Sequence, residues 1–133
     1  MPTDHWNEAL DTGNDAIDRA HRKLLDDIER TRALPDADFT AACLAVFDAV
    51  GRDFRAEEEL MEKIAYPGES VHREQHARVL GGVHHAEAAL LRGDPFPARR
   101  CLELLPQWMQ LHFETQDAPL AVALSILPAT SAT

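Results

Sequence analysis

Apolar positions recur along this chain at helical intervals, and the interruptions between them divide it into four rods. Ile17, His21, Leu24 and Ile28 are spaced four, three and four, which is one face of a helix, and Asp15 before them is a helix-capping residue type. Pro35 and Asp36 end that rod and cap a second, near residues 37–64, with a stripe of Phe39, Cys43, Val46, Val50, Asp53, Glu57, Leu60 and Ile64. Tyr66-Pro67-Gly68 breaks the pattern. A third rod starts at Gly68, Glu69 and Ser70 and runs to Gly93, with His72, His76, Val79, Val83 and Leu90 in line, His84 flanking and His85 outward. Asp94-Pro95-Phe96-Pro97 is a stop followed by a new start. The fourth rod carries Cys101, Leu104, Trp108, His112 and then Asp117. Residues 1–15, with Trp6 and Gly13, lack helical period and read as an arm, and residues 129–133 read as a frayed tail. There are no repeats and no strand pattern. The prediction is an all-α, up-down-up-down four-helix bundle with an N-terminal arm, one domain over residues 1–128.

Polar residues fall inside these apolar faces. His72 and His76 are four apart, so their rings stand one turn apart on one face; Asp53 and Glu57 share that spacing on the preceding helix. A short turn folds those two helices antiparallel. Rotating the second helix by one residue gives a different face, in which Phe54 and Met61 point inward and the acids are solvated. The run Glu57-Glu58-Glu59 suits such a solvated face. A lone histidine such as His21 in an apolar stripe is more often a satisfied core residue than a ligand. What favours a metal site is depth. If the helices alternate in direction, His21, Asp53, Glu57, His72, His76, His112 and Asp117 all lie at one level of the bundle. Imidazoles and carboxylates converging inside four helices outline a metal site, and seven such groups suit two ions sharing bridging carboxylates better than one. The five-residue step from His112 to Asp117 exceeds a helical turn, so the helix must loosen there or both residues must flank the stripe.

Composition narrows the setting. The chain has 133 residues and a net charge of −10, from 13 basic and 23 acidic residues, which disfavours nucleic acid and anionic membranes. No basic-then-apolar leader and no apolar run near the length of a membrane span is present. Cys43 and Cys101 are isolated thiols without metal-knuckle spacing, as expected of buried free cysteines in a reducing cytoplasm.

Taken together, Trp6, Gly13, Ile17-Asp18-x-x-His21, Phe54-x-x-Glu57-Glu58-x-x-Met61, Tyr66-Pro67, His72-x-x-x-His76 and Trp108-x-x-x-His112-x-x-x-x-Asp117 resemble the hemerythrins, especially the single-domain bacterial ones, from residue 6 to about residue 120. The resemblance implies two non-haem Fe ions, oxo- or hydroxo-bridged. His72, His76 and His112 would hold one, His21 would belong to the other, and Glu57 and Asp117 would bridge them. It also implies dioxygen, or a related small ligand such as nitric oxide or peroxide, as partner. Phe54, Met61, Trp108 and Leu24 are candidates to line a dry pocket beside the open iron position. Asp53 departs from the family, which has a histidine there. An anionic oxygen ligand favours the oxidised metal more than imidazole does. An oxidoreductase turning over dioxygen, peroxide or nitric oxide, and a bundle holding one metal in the three-histidine half, are the competing functions. The ferritin-like di-iron bundles use a Glu-x-x-His pair on each of two helices; here only Glu69-Ser-Val-His72 fits, at a helix start. A monomer is compatible with all of this.

Overall fold

The computed structural model describes residues 10–127; the expectations for Trp6, for most of the arm and for the 129–133 tail lie outside them. Four helical rods form the bundle: α1 (Asp15–Arg32), α2 (Asp36–Lys63), α3 (Glu69–Leu91), and a fourth made of α4 (Phe96–His112), a π-helical turn (Phe113–Asp117) and α5 (Ala118–Ile126). Each helix packs against two neighbours, α1 on α2, α2 on α3, α3 on α4 and α4 back on α1, as an all-α up-down-up-down bundle requires. No helix among the described residues is long and apolar enough to cross a membrane.

The helix ends differ from expectation by a residue or two. Asn14, not Asp15, caps α1: its side chain accepts from the Ile17 N–H at 3.0 Å, because the capping oxygen must stand outside the first helical residue. Asp36 likewise lies within α2, after Pro35. α2 closes through Ala65 at φ 49°, with the Tyr66 N–H donating to the Met61 carbonyl at 3.0 Å. Gly68 leaves room for the Tyr66 ring, which a Cβ there would meet at 2.8 Å and push aside.

The inward faces also differ from the sequence stripes. On α2, Phe54 and Met61 are buried and Asp53 and Leu60 only half so, yet Glu57 remains buried at 5% exposure. Neither expected face was right in full. Counting on from Val50, a period of 3.6 falls between residues 53 and 54, and the large aromatic takes the interior place. On the fourth rod the buried residues are Ala98, Leu102, Leu105, Met109 and His112, so Cys101 and Trp108 flank the core and Leu104 is exposed. His84 and His85 both face outward.

Two apolar layers result. One is built from Leu24, Ile28, Phe39, Val50, Phe54, Leu102, Met109 and Phe113 with their neighbours. The other, at the far end, is Ile17, Met61, Ile64, Leu120 and Ala123. Between them lies one turn of polar side chains.

Candidate metal centre

Every helix contributes to this polar layer. His21 stands between Ile17 and Leu24 on α1, Glu57 between Phe54 and Met61 on α2, and Asp117 between Phe113 and Leu120 on the fourth rod. His72, His76 and Asp117 are fully buried, with His21, Glu57 and His112 at 5% exposure or less. Glu57, His72, His76, His112 and Asp117 each turn one nitrogen or oxygen inward, and these atoms all lie within 4.8 Å of one another.

The two carboxylates face two ways. Glu57 Oε1 lies 3.2 Å from His72 Nε2 and 3.1 Å from His76 Nε2, while its Oε2 lies 3.2 Å from His21 Nε2. Asp117 Oδ1 lies 2.9 Å from His72 Nε2 and 3.3 Å from His112 Nε2, while its Oδ2 lies 3.0 Å from His21 Nε2. One oxygen of each acid thus serves a three-histidine side and the other serves His21. The π-helical turn makes this possible on the fourth rod. Pro119 offers no N–H and its ring crowds the carbonyl one turn earlier. The ladder steps over it with the Ala118 N–H bonded back to Phe113. Five residues therefore fill one turn, and His112 and Asp117 share a face.

The donor set fits a metal. His76 Nδ1 lies 2.9 Å from Glu58 Oε2, and His112 Nδ1 lies 2.9 Å from Gln75 Oε1. Both Nδ1 atoms meet acceptors and so donate to them, which turns both Nε2 atoms into the cluster. Those two Nε2 atoms face each other at 3.2 Å. Two ring nitrogens this close need a proton or a metal ion between them. Asp117 Oδ1 and Oδ2 are buried with only imidazole nitrogens beside them among the described residues, where His21 Nδ1 and His72 Nδ1 are also buried without a partner. Imidazole and carboxylate together suit a first-row transition metal.

The electrostatics agree. Burial works against the charge on Asp117, but His112, His21 and His72 outweigh it and hold the carboxyl far below its usual range. Glu57 is lowered in the same way, burial being overcome by His21, His72 and His76. Burial would lower His21 and His72, yet Asp117 and Glu57 raise both to about 9. Without a metal, the cluster balances its acids with protons.

Flat rings brace three imidazoles of the cluster. Phe113 stacks on His21 at 3.6 Å between ring centres, Phe54 on His76 at 3.9 Å, and Trp108 on His112 at 4.5 Å. Of the expected pocket residues, Phe54 and Trp108 touch the cluster in this way; Met61 and Leu24 belong to the apolar layers below and above it. Asp18 of the sequence motif is nearly buried and ties Thr12 and Gly13 to α1, accepting from Thr12 N–H and Oγ1–H and from Gly13 N–H.

The structure does not bring Asp53 into the cluster. It is half-buried beside Glu57, makes no hydrogen bond or ion pair among the described residues, and has its carboxyl raised to about 6 by burial and by the Glu57 charge. Gln75 and Glu58 are the residues that sequence spacing left without a role. Glu58 sat within a quoted motif; Gln75 gave no signal beyond its place next to His76.

No family model matches the chain. It is similar to a bacteriohemerythrin of Ralstonia nicotianae, 28% identical over 125 residues, which span 94% of this chain and 91% of that protein. The resemblance to the hemerythrins therefore holds along nearly the whole chain and again at its buried His/Glu/Asp cluster, which fits a metal site of the hemerythrin kind.

Proposed function

We propose that the protein is a non-haem di-iron protein that binds dioxygen or a related small ligand. The observation that supports two ions is the division of each carboxylate: Oε1 of Glu57 and Oδ1 of Asp117 face His72, His76 and His112, and Oε2 and Oδ2 face His21. His72, His76 and His112 would hold one iron, His21 the other, and Glu57 and Asp117 would bridge them. The similarity to a bacteriohemerythrin supports iron as the metal and a small ligand as the partner.

On the His21 side, among the described residues, one imidazole faces the acids, with Asp53 nearby. This is the side where an exogenous ligand would find room. Iron bound there would supply electrons to such a ligand. The chain's own part is to exclude water with the two apolar layers, to hold His112 through Gln75 and His76 through Glu58, and to keep both acids ionised. Asp53 places a further negative charge beside the same edge, near enough to act through a water. That favours oxidation of the pair and so supports a second reading, in which dioxygen, peroxide or nitric oxide is turned over rather than carried.

Metal analysis and the visible spectrum before and after oxygen exposure test both. About two irons per chain and an oxygen-dependent spectrum support the proposal. One metal per chain, or a preference for zinc after anaerobic iron loading, overturns it in favour of a single-metal module. Repeated consumption of oxygen by the reduced protein would select turnover over carriage.

A further inference from the structure

Glu57 is buried, yet the wall above it is thin. A cavity of about 90 Å³ lies between α1 and α2, lined by Ala16, Ile17, Ala20, Asp53, Ala56, Glu57 and Leu60. Ala16 and Ala56 on its rim are exposed, and Glu57 is its floor. A second cavity of about 140 Å³ adjoins it and shares Ala20 and Asp53 as walls, with Lys23 and Arg52 at its outer edge. Where this seam passes the centre it is lined by alanine, with Asp53 for its charged wall. Any larger side chain at Ala20 would project into both cavities.

Resting on the di-iron reading, we propose that small ligands reach the centre through this α1–α2 seam, and that Asp53, standing where its two cavities meet, sets which ligands pass. The space suits a molecule of two or three atoms. The Asp53 carboxylate forms no ion pair among the described residues, so its charge is not cancelled by contact. Lys23 is engaged by Asp27 at 2.7 Å, and Arg52 lies 3.7 Å from Asp48. An anion would approach an unpaired, half-buried carboxylate in a narrow crevice, whose charge Lys23 and Arg52 offset only from a distance, so that like charges repel more strongly than in water. A neutral diatomic meets no such barrier. Asp53 is therefore a specificity-determining residue at the throat, admitting neutral small molecules and holding back anions.

The test compares entry rates of azide and nitric oxide, as anionic and neutral probes, into iron-loaded protein by stopped flow. Ala20→Leu should slow both by about tenfold, by filling the seam. Asp53→Asn should speed azide by about tenfold or more while leaving nitric oxide within about twofold. Gly82→Leu, placed in open space in a separate groove between α3 and α4, should change neither. A readout without metal accompanies these: Asp53→Cys should be alkylated by iodoacetamide in the folded chain, and adding Ala20→Leu should slow that labelling by about tenfold. Ala20→Val is the gentler plug if the leucine variant fails to fold. Unchanged probe rates and unchanged labelling in the plugged variants would overturn the route. Equal acceleration of both probes, or of neither, by Asp53→Asn would overturn the filter. Failure of the wild type to take up two irons counts against the di-iron reading instead, and the labelling still decides the route.

Discussion

Gln75 Oε1 accepts from His112 Nδ1–H at 2.9 Å, although the two residues stand on different helices. That contact fixes the imidazole so that Nε2 turns into the cluster, and Glu58 does the same for His76. Gln75→Leu keeps the volume and removes the acceptor. Metal affinity should fall by roughly 10- to 100-fold, with the metal-free melting temperature little changed. Competition with a chelator of known strength measures it.

Chelation should destabilise the protein strongly. Removing the cation leaves crowded ring nitrogens and buried acids, and an unpaired buried charge costs several kcal/mol. Protons taken up by His21 and His72 offset only part of that. The metal-free protein should melt about 10 °C or more below the loaded form. Equal melting temperatures by calorimetry would mean that the cluster needs no ion.

The same protons give a pH dependence. His21 and His72 are raised from 6.5 to about 9 in the metal-free cluster. Their contribution to metal-free stability is fully present below pH 6.5 and is lost as pH rises through about 9. The metal-free protein should thus melt lower at pH 9.5 than at pH 6.5. Metal uptake near pH 7.5 should release protons, because a ligating imidazole must be neutral. Thermal melts and uptake in two buffers of different ionisation heat check both.

Asp53→His substitutes an imidazole for the carboxylate at the His21 edge. A histidine ring is longer than aspartate and reaches further from the same turn of α2, and loss of the negative charge disfavours the oxidised pair. Oxidation of the reduced protein in air, followed by its visible spectrum, should slow several-fold. An unchanged rate would mean that Asp53 does not tune the metals.

Phe54→Ala should cost about 3–5 kcal/mol. It removes a buried ring of the larger apolar layer and the partner stacked on His76 at 3.9 Å. Denaturant unfolding of the metal-free protein measures it apart from any effect on metal uptake.

The bundle was legible because turn residues punctuate regular apolar stripes, and the cluster because its polar residues break those stripes at matching depths. Glu57, His72, His76, His112, Asp117 and His21 are brought together as their spacing implied. Asp53 and Phe54 could not be told apart by spacing, since the helical period falls between them; packing of the bulkier ring decided it. The face of the fourth rod differs from its stripe for a related reason. Cys101, Leu104 and Trp108 align with His112 at helical steps, but so do Ala98, Leu102, Leu105 and Met109, and only contact with the other three helices distinguishes the two faces. Gln75 was out of reach because its partner lies 37 positions away.

The π-helical turn between His112 and Asp117 has a consequence for hydrogen exchange. Wider turns hold their amides less well than an α-helix, and Pro119 leaves the ladder a donor short on the far side. The hydroxyl of Thr115 bonds the Leu111 carbonyl at 2.8 Å and mends part of the gap. With a metal bound, His112 and Asp117 are tied together across this weak turn from either end. Amide protons of residues 114–118 should therefore exchange quickly in the metal-free protein and slowly in the loaded one, so that backbone order in the fourth rod reports occupancy of the centre.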